Sequence, residues 1–399
     1  NLYKEWRVMR MKRYISLLVI VLLLTSLWMP SVSAEEKAST DITENVRSAI
    51  LIERDTGQIL YEKNSNEELP PASMTKIMTM LLIMEAIDQG KLKWDESVRT
   101  SEYAASMGGS QIFLEPGEEM TVKQMLQGIA IGSGNDASVA MAEKIAGSEE
   151  AFVDMMNNKV KELGLKNTIF KNTTGLPGSG HYSSAHDMAI MAKELLKYED
   201  ITKFTGMYEA YLRENTDKKF WLVNTNKLVR FYPGVDGLKT GFTGEAKYCL
   251  TATAQKDGMR VIAVVFGAPT SKERNAQVTK MLNYAFAQYQ THPMFKRNQV
   301  IGDAHVNKGK DKKVQAVTSE PLSLLTKKGE KTENVTRKVK LDKNLNAPIK
   351  KGDKVGTIQL VKEGKVVLES ELVAKNDVKE ATWWTLYKRS FGMFTKAGK

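Results

Sequence analysis

The sequence predicts an α/β (α+β) domain, in which an antiparallel sheet is flanked by helices, followed by a small all-β domain and a C-terminal amphipathic helix. Three observations predict this order. Residues 46–295 begin with a β-hairpin pattern, continue through several helical periodicities and return to strand patterns and a closing helix, so strands from both ends can form one sheet covered by helices. Residues 298–375 hold short strand-like runs separated by Lys, Gly and Asp turns. Residues 378–399 place aromatic and basic side chains at helical spacing.

The N-terminal segment has the features of a secretory signal peptide, which we assign to residues 1–34. A basic start at residues 11–13 is followed by an almost wholly apolar stretch at 15–27 and by small residues that end at Ala34. We expect cleavage after Ala34 and export. An uncleaved anchor is the alternative, although the apolar stretch is short for a membrane span. Residues 35–45 are polar and are expected to be flexible.

The elements of the first domain follow from local signals. Residues 49–54 and 58–62 predict a hairpin about Asp55-Thr56-Gly57, and an apolar run after two prolines predicts a helix that starts at Ser73 and stops before Gly90. The remaining elements, in chain order, are helices over 122–130 (capped by Thr121), 136–146, 148–163 (capped by Ser148) and 184–198, an irregular loop over 166–182, strands at 220–223 and around Lys239, a hairpin of 248–255 and 260–267, and a helix over 271–290.

The second domain is predicted from strand patterns alone, with runs at 335–341, 355–361 and 366–373. The only cysteine of the chain, Cys249, lies in a strand pattern of the first domain. A single cysteine excludes an intrachain disulfide, and its setting predicts a buried, unreactive thiol.

The net charge of +11 is concentrated at the two ends of the chain. Residues 301–399 carry 22 Lys or Arg against 12 Asp or Glu, and residues 1–34 carry 5 against 1, so the region between them is slightly negative. The basic surplus therefore lies outside residues 35–300. Because the sequence also holds no nucleic-acid-binding module, we expect no nucleic acid partner.

The stretch around Ser73 carries the first sign of chemistry. Ser73 and Lys76 lie three residues apart, which places a hydroxyl and an amine on one helical face. A serine hydroxyl is a poor nucleophile at neutral pH unless a neighbouring base takes its proton. Lys76 can be that base only if burial or nearby cations lower its pKa from about 10.4. A Ser-x-x-Lys pattern also occurs by chance in a chain of this length, so it needs support.

Two further motifs supply that support. Ser133 and Asn135 lie in the break between two predicted helices, and Lys239-Thr240-Gly241 lies on a predicted strand. Together with the serine-lysine pair, and in this order, they resemble the motif set of the low-molecular-mass penicillin-binding proteins that are D-alanyl-D-alanine carboxypeptidases. The resemblance covers residues 40–295 by motif order and spacing, and the β domain and the tail extend it to the whole chain.

The resemblance implies a role for each residue of the first two motifs. Ser73 attacks the peptide carbonyl, and Lys76 accepts its proton with help from the charge of Lys239. Ser133 relays a proton to the departing amine, while Asn135 orients Lys76 and the substrate amide. These four side chains are the expected catalytic residues.

The remaining residues are expected to bind the substrate. By resemblance, Lys239 and Thr240 hold its terminal carboxylate, and Gly241 lets its backbone approach the strand closely. Arg274 is placed like the family arginine that assists carboxylate binding. The oxyanion hole would be formed by the backbone N–H groups of the nucleophile and of Phe242, which stands where some relatives carry histidine.

The expected function is an exported serine carboxypeptidase that removes the terminal D-alanine from peptidoglycan stem peptides ending in D-Ala-D-Ala, and that β-lactams inhibit covalently. We expect no cofactor and no metal, because no carboxylate or cysteine cluster completes a site with His181 and His186. Alternatives are a DD-endopeptidase or weak β-lactamase on the same fold, or a wall-binding module without activity. Residues 162–167 lack the Glu-x-x-x-Asn spacing of an efficient class A β-lactamase.

The C-terminal stretch predicts contact with a membrane. Residues 378–399 are too polar to span a bilayer, but their aromatic and basic side chains, including Trp383 and Trp384, suit a helix that lies among anionic headgroups. A helix packed on its own domain is the alternative. We expect the protein to be held at the outer face of the cytoplasmic membrane by this helix.

Overall fold

The computed structural model describes residues 41–330 and 335–388. The predicted signal peptide, residues 35–40 of the predicted flexible segment and residues 389–399 of the predicted amphipathic helix lie outside the described residues. The chain from Ile42 onward forms a compact unit of its own.

The elements of this unit have the following bounds. The α-helices are α1 Lys76–Asp88, α2 Glu102–Ala105, α3 Val122–Ala130, α4 Asn135–Ala146, α5 Glu149–Glu162, α6 Ala185–Leu195, α7 Thr202–Thr205, α8 Leu228–Phe231 and α9 Ser271–Gln288, and 3₁₀ turns cover Ala72–Thr75 and Glu199–Ile201. The strands are β1 Ser48–Glu53, β2 Ile59–Lys63, β3 Ser97–Arg99, β4 Glu119–Thr121, β5 Glu209–Leu212, β6 Phe220–Val223, β7 Val235–Thr243, β8 Lys247–Lys256, β9 Met259–Ala268, β10 Tyr289–Phe295, β11 Val300–Asn307, β12 Lys313–Thr318, β13 Leu322–Lys327, β14 Val335–Leu341, β15 Leu345–Asn346, β16 Lys354–Lys362 and β17 Lys365–Ala374.

A five-stranded antiparallel sheet in the order β2-β1-β9-β8-β7 forms the centre of the first domain. The sheet joins strands from both ends of the domain, as the sequence predicts, because β1 pairs along β9 with Ile50 opposite Val264. Successive side chains point to opposite faces of the sheet. Ile50 and Val264 enter the core beneath α1 and its neighbours, whereas Leu51 enters a second core beneath α9. Both faces of the sheet are therefore buried.

Helix α1 is the central helix of the domain. Its side chains from Ile77 to Met84 are all buried, because α4, α5 and α6 surround it. A helix that is apolar on all sides is expected at such a position. The predicted start at Ser73 is corrected by the structure. A 3₁₀ turn at Ala72–Thr75, which we call the serine turn, comes first, and the α-helix begins at Lys76.

The second domain contains a six-stranded sheet in the order β14-β16-β17-β12-β11-β15 and the separate pair β10-β13. The three predicted strand runs are confirmed as β14, β16 and β17. The helix predicted to reach residue 290 ends at Gln288, because β10 starts there and pairs with β13, with Thr291 opposite Leu325. An ion pair of 2.6 Å between Lys193 of α6 and Glu320 joins the two domains.

Two predictions at the ends of this unit are wrong in part. Thr43, which falls in the segment expected to be flexible, is fully buried, and its hydroxyl lies 2.8 Å from the hydroxyl of Tyr61. Val378, the predicted first residue of the amphipathic helix, is buried and pairs with Ile349 as an isolated bridge. Helix covers only residues 383–388 of the described tail. Packing against the neighbouring domain overrides the local polarity in both cases.

The predicted helix caps are confirmed. Thr121 accepts a hydrogen bond of 3.2 Å from the backbone N–H of Gln124, and the Gln124 side chain accepts one of 2.9 Å from the backbone N–H of Thr121. Ser148 likewise accepts from the N–H of Ala151 at 3.1 Å. These reciprocal bonds satisfy N–H groups that the first turn of a helix leaves without partners.

The cap of α3 provides a test of the fold. Thr121→Ala should lower the free energy of unfolding by about 1 kcal/mol, because the N–H of Gln124 loses its acceptor. Thr121→Ser keeps the hydroxyl and should unfold at nearly the wild-type urea concentration. Equal losses in the two variants, measured by urea denaturation, would show that the methyl group and not the cap matters.

Candidate active site

Ser73 lies on the serine turn, which is held between two glycines. Gly241 of β7 packs against this turn so closely that a Cβ atom there would lie 2.8 Å from the carbonyl oxygen of Pro71. On the other side, a Cβ atom at Gly175 would collide with the carbonyl group of Ala72, and the φ of Gly175 is +85°. Only glycine allows such approaches. The serine turn thus occupies the space beside Gly241, and the approach of a substrate backbone to this glycine stays a prediction.

Three oxygen atoms enclose the amine of Lys76. Its Nζ lies 3.1 Å from Oγ of Ser73, 2.7 Å from Oδ1 of Asn135 and 2.7 Å from the carbonyl oxygen of Thr174. The Asn135 and Thr174 oxygens can only accept hydrogen bonds, so each takes one N–H of the amine. A neutral amine has two hydrogens and one lone pair. With both hydrogens used, the lone pair is directed at the Ser73 hydroxyl.

The surroundings of Lys76 favour this neutral form. Burial lowers the pKa of Lys76 well below its usual value, and the nearby charge of Lys239 lowers the pKa further, against an opposing effect of Asp136. The side chain is 0% exposed, so little water reaches the amine. The two conditions that the sequence set for Lys76 as a base, burial and a neighbouring cation, are both present.

Asn135 and Ser133 occupy the turn before α4. Asn135 is the first residue of that helix, and its Nδ2 donates a 2.7 Å hydrogen bond to the carbonyl oxygen of Gly108, which fixes the amide with Oδ1 toward Lys76. Ser133 is buried beside it with a left-handed φ of 61°. Within the part of the chain that the structure describes, the Ser133 hydroxyl forms no hydrogen bond to Ser73 or Lys76.

Two buried cations lie along β7 and at the start of α9. Lys239 is 1% exposed, and burial together with the charge of Arg274 lowers its pKa to about 7. Arg274 is also buried, and burial lowers its pKa to about 10. No carboxylate forms an ion pair with either cation within residues 41–330 and 335–388. Such a pair suits an anionic group of a ligand.

The other residues predicted on β7 differ in exposure. Thr240 is buried, and its hydroxyl donates a 2.7 Å hydrogen bond to the hydroxyl of Thr225. The side chain of Phe242 is 55% exposed and contacts Tyr248, with ring centroids 4.4 Å apart. Cys249 of β8 is fully buried, as predicted, and burial raises its pKa to about 11, which disfavours the reactive thiolate.

The sequence did not reveal the contributions of Thr174 and Gly175. Thr174 acts through a backbone carbonyl and Gly175 through the absence of a side chain, and neither feature has a motif of its own. His181, considered as a metal ligand, instead supports the serine turn: its Nδ1 accepts from the N–H of Lys171 at 3.2 Å, and its Nε2 lies 2.9 Å from the hydroxyl of Thr75. Among the described residues, no group of three or more His, Cys, Asp or Glu is arranged to hold a metal ion.

Comparison with known proteins gives close relatives. Residues 33–270 match the sequence profile of the D-alanyl-D-alanine carboxypeptidase family, and residues 289–380 match that of the penicillin-binding protein 5 C-terminal domain. The chain is 66% identical over 388 residues to the D-alanyl-D-alanine carboxypeptidase DacF of Bacillus subtilis, which covers 97% of this chain and 100% of the relative.

Two solved structures are similar as well. Penicillin-binding protein 5 from Haemophilus influenzae has a TM-score of 0.63 and 33% identity and covers 84% of this chain and 98% of its own. Penicillin-binding protein D2 from Listeria monocytogenes, in an ampicillin-bound form, has a TM-score of 0.52 and 30% identity and covers 61% of this chain and 98% of its own.

The buried amine of Lys239 should make the free energy of unfolding depend on pH. Its pKa is about 7 in the folded chain and about 10.4 in the unfolded chain, so between these values only the unfolded state binds the proton. The free energy of unfolding should therefore rise with pH in this window, by up to ~1.4 kcal/mol per pH unit. Lys239→Met should lower this slope by the contribution of that one lysine, while the low pKa of Lys76 keeps a contribution of the same sign. Lys256→Met, at an exposed position of β8, should leave the slope unchanged. Urea denaturation at several pH values measures the slope, and equal slopes for wild type and Lys239→Met would contradict the assignment.

Proposed function

The chain belongs to the D-alanyl-D-alanine carboxypeptidase family of serine peptidases, and we propose that Ser73 is its nucleophile and Lys76 the base that activates it. The enzyme removes the terminal D-alanine from peptidoglycan stem peptides. One observation carries the assignment of the two residues: Nζ of Lys76 lies 3.1 Å from Oγ of Ser73 and 2.7 Å from two carbonyl oxygens. In its neutral form the amine donates its two hydrogens to the carbonyl oxygens and keeps its lone pair for the proton of Ser73.

The reaction proceeds by acyl transfer. Oγ of Ser73 gives its proton to Nζ of Lys76 and bonds to the carbonyl carbon of the D-Ala-D-Ala bond. The C–N bond then breaks, and the departing amine takes the proton, for which Ser133 is our proposed relay. A water molecule next attacks the carbonyl carbon of the acyl-enzyme and gives a proton to Lys76. Lys76 returns this proton to Oγ of Ser73 as the ester bond breaks, and the shortened peptide is released. The burial of Ser133 beside Asn135 supports its place in this path.

Two backbone N–H groups are proposed to stabilise the negative oxygen that forms in each step. One belongs to Ser73 and the other to Phe242, the residue after Gly241. The close packing of Gly241 on the serine turn brings these two segments together and supports this pairing. A fixed pair of donors of this kind is worth several kcal/mol in comparable acyl-transfer sites.

Lys239, Thr240 and Arg274 are proposed to bind the terminal carboxylate of the substrate. Burial and the charge of Arg274 disfavour the charged form of Lys239, burial disfavours that of Arg274, and a bound carboxylate compensates this cost. A site that is completed by a free carboxylate selects the end of a peptide, which supports cleavage of the terminal residue over cleavage within a chain.

The β-lactam interaction follows from the same site. The Listeria relative with 30% identity exists in an ampicillin-bound form, which supports the proposal that β-lactams acylate Ser73 here. Because residues 162–167 lack the spacing of a deacylating glutamate, we propose that the acyl-enzyme formed with a β-lactam is released slowly.

We also propose that the enzyme is exported and is held at the outer face of the cytoplasmic membrane by its C-terminal tail. Trp383, Trp384 and Tyr387 are 69%, 64% and 48% exposed, and the rings of Trp383 and Tyr387 stack 5.3 Å apart. Exposed aromatic rings of this kind suit the headgroup region of a bilayer. In residues 41–330 and 335–388, no helix has the length and apolar character to cross a membrane.

Ser73→Ala tests the nucleophile. The variant should lose D-alanine release from a D-Ala-D-Ala peptide by about 10³-fold or more and should not be labelled by fluorescent penicillin, because no covalent intermediate can form. Ser106→Ala, at an exposed position, is the control and should keep both activities. Release of D-alanine at the wild-type rate by Ser73→Ala would exclude this mechanism.

The tail is tested by replacing its aromatic rings. A protein with Trp383, Trp384 and Tyr387 all changed to Ser should bind vesicles that contain anionic lipid about tenfold more weakly or worse, with unchanged D-alanine release. Trp221→Ser is the matched control, because Trp221 is 55% exposed but lies on β6. A truncation should begin at residue 383 and not at 378, since Val378 is part of the β domain. Co-sedimentation of the triple variant and of the truncated protein with these vesicles at the wild-type level would contradict the proposal.

A further inference from the structure

Glu149 is a buried carboxylate that belongs to none of the three motifs. It lies in the first turn of α5, is 8% exposed and faces the loop that precedes α6. Its Oε1 accepts hydrogen bonds from the backbone N–H of Thr173 at 3.0 Å and from the Thr173 hydroxyl at 2.8 Å. Its Oε2 accepts a 2.7 Å hydrogen bond from the hydroxyl of Tyr103. The carboxylate thus has three donors, two of which come from one residue of the loop.

The loop segment that Glu149 holds has no helix or sheet to fix it. Thr173 and Thr174 lie between α5 and α6 in irregular backbone, so side chains must set the direction of their carbonyl groups. The hydroxyl of Thr79, on α1, donates a 2.7 Å hydrogen bond to the carbonyl oxygen of Thr173. Oδ1 of Asn172 accepts from the N–H groups of Thr174 at 3.2 Å and Gly175 at 2.7 Å.

The result of these contacts is the position of one carbonyl oxygen. The carbonyl oxygen of Thr174 receives a hydrogen of the Lys76 amine at 2.7 Å, and only this bond and the bond to Asn135 keep the lone pair of the amine toward Ser73. Of the side chains described above that hold Thr173, Glu149 is the only charged one. Hydrogen bonds to an ionised acceptor are stronger than those between neutral groups, and the N-terminal end of α5 favours the negative charge.

We propose that Glu149 is a positioning residue for the general base: by holding Thr173, it sets the carbonyl group of Thr174 that takes one hydrogen of Lys76 and directs the lone pair of the amine at Ser73. This inference rests on the proposed role of Lys76. Without the carboxylate, the Thr173-Thr174 segment turns away, the amine loses one of its two acceptors, and water reaches it. A more hydrated amine has a higher pKa, so less of it is neutral at a given pH.

The test compares Glu149→Ala with Glu149→Gln. The glutamine keeps an oxygen that accepts both hydrogen bonds of Thr173, and its amide can donate to the hydroxyl of Tyr103, so it preserves the geometry and removes the charge. Full-length mature protein is acylated with a fluorescent penicillin, and the second-order rate constant is followed between about pH 5 and pH 10. Glu150→Ala, one residue further along α5 at an exposed position, is the matched control.

We expect Glu149→Ala to be acylated about tenfold more slowly at pH 7. The pH at which its acylation rate constant increases should be about one unit higher than in the wild type. Glu149→Gln and Glu150→Ala should follow the wild-type profile within about threefold. If both Glu149 variants shift the profile downward, the carboxylate acts by its charge on Lys76 and the positioning proposal is wrong. An unchanged profile in a folded Glu149→Ala protein overturns it as well.

A second variant covers the case in which Glu149→Ala does not fold. Thr79→Val keeps the shape of the side chain but removes the hydrogen bond to the carbonyl oxygen of Thr173, so it should displace the profile in the same direction by a smaller amount. An unchanged profile in this variant counts against the proposal. Failure of the proposed function itself looks different: the wild-type protein is then not acylated, or Ser73→Ala is acylated like the wild type.

Discussion

The burial of one amine is the constraint on which the rest of this site depends. Lys76 stands at the first turn of a helix whose side chains from Ile77 to Met84 are all buried, so its amine is kept from water by the core of the domain. A buried ammonium ion is costly, and the charge of a second lysine, Lys239, adds to that cost. Both effects favour the neutral amine. The same burial that stabilises α1 therefore prepares Lys76 for its proposed role as the base.

The serine turn depends on two close approaches that no side chain would allow. Gly241 lets the strand that carries Lys239 lie against the turn, and Gly175 lets the loop that carries Thr174 lie against its other side. Three segments that are distant in the sequence are thereby brought to one serine. The left-handed backbone of Ala72, with φ of 47°, marks backbone strain at the residue before Ser73, where these segments pack closely.

The second domain has a different relation to the chemistry. Within its described residues it contributes none of the groups that contact Ser73 or Lys76, and an ion pair between Lys193 of α6 and Glu320 joins it to the first domain. The fixed contact keeps the β domain in one place relative to the catalytic domain. The exposed rings that follow Val378 extend from this domain and not from the catalytic one. The tail that we propose to bind the membrane surface is therefore carried by a domain separate from the active site.

The sequence by itself determined the elements with strong local signals. Hairpins with clear turns, helices with caps such as Thr121, and the three short motifs were all found, because capping, turn chemistry and motif spacing are encoded within a few residues. Only the tertiary structure decided what the buried groups do. The carbonyl of Thr174, the burial of Arg274 and the carboxylate of Glu149 depend on contacts between segments far apart in the chain. Such contacts leave no pattern in a local sequence, since a backbone oxygen or a missing Cβ atom gains its function from what packs beside it.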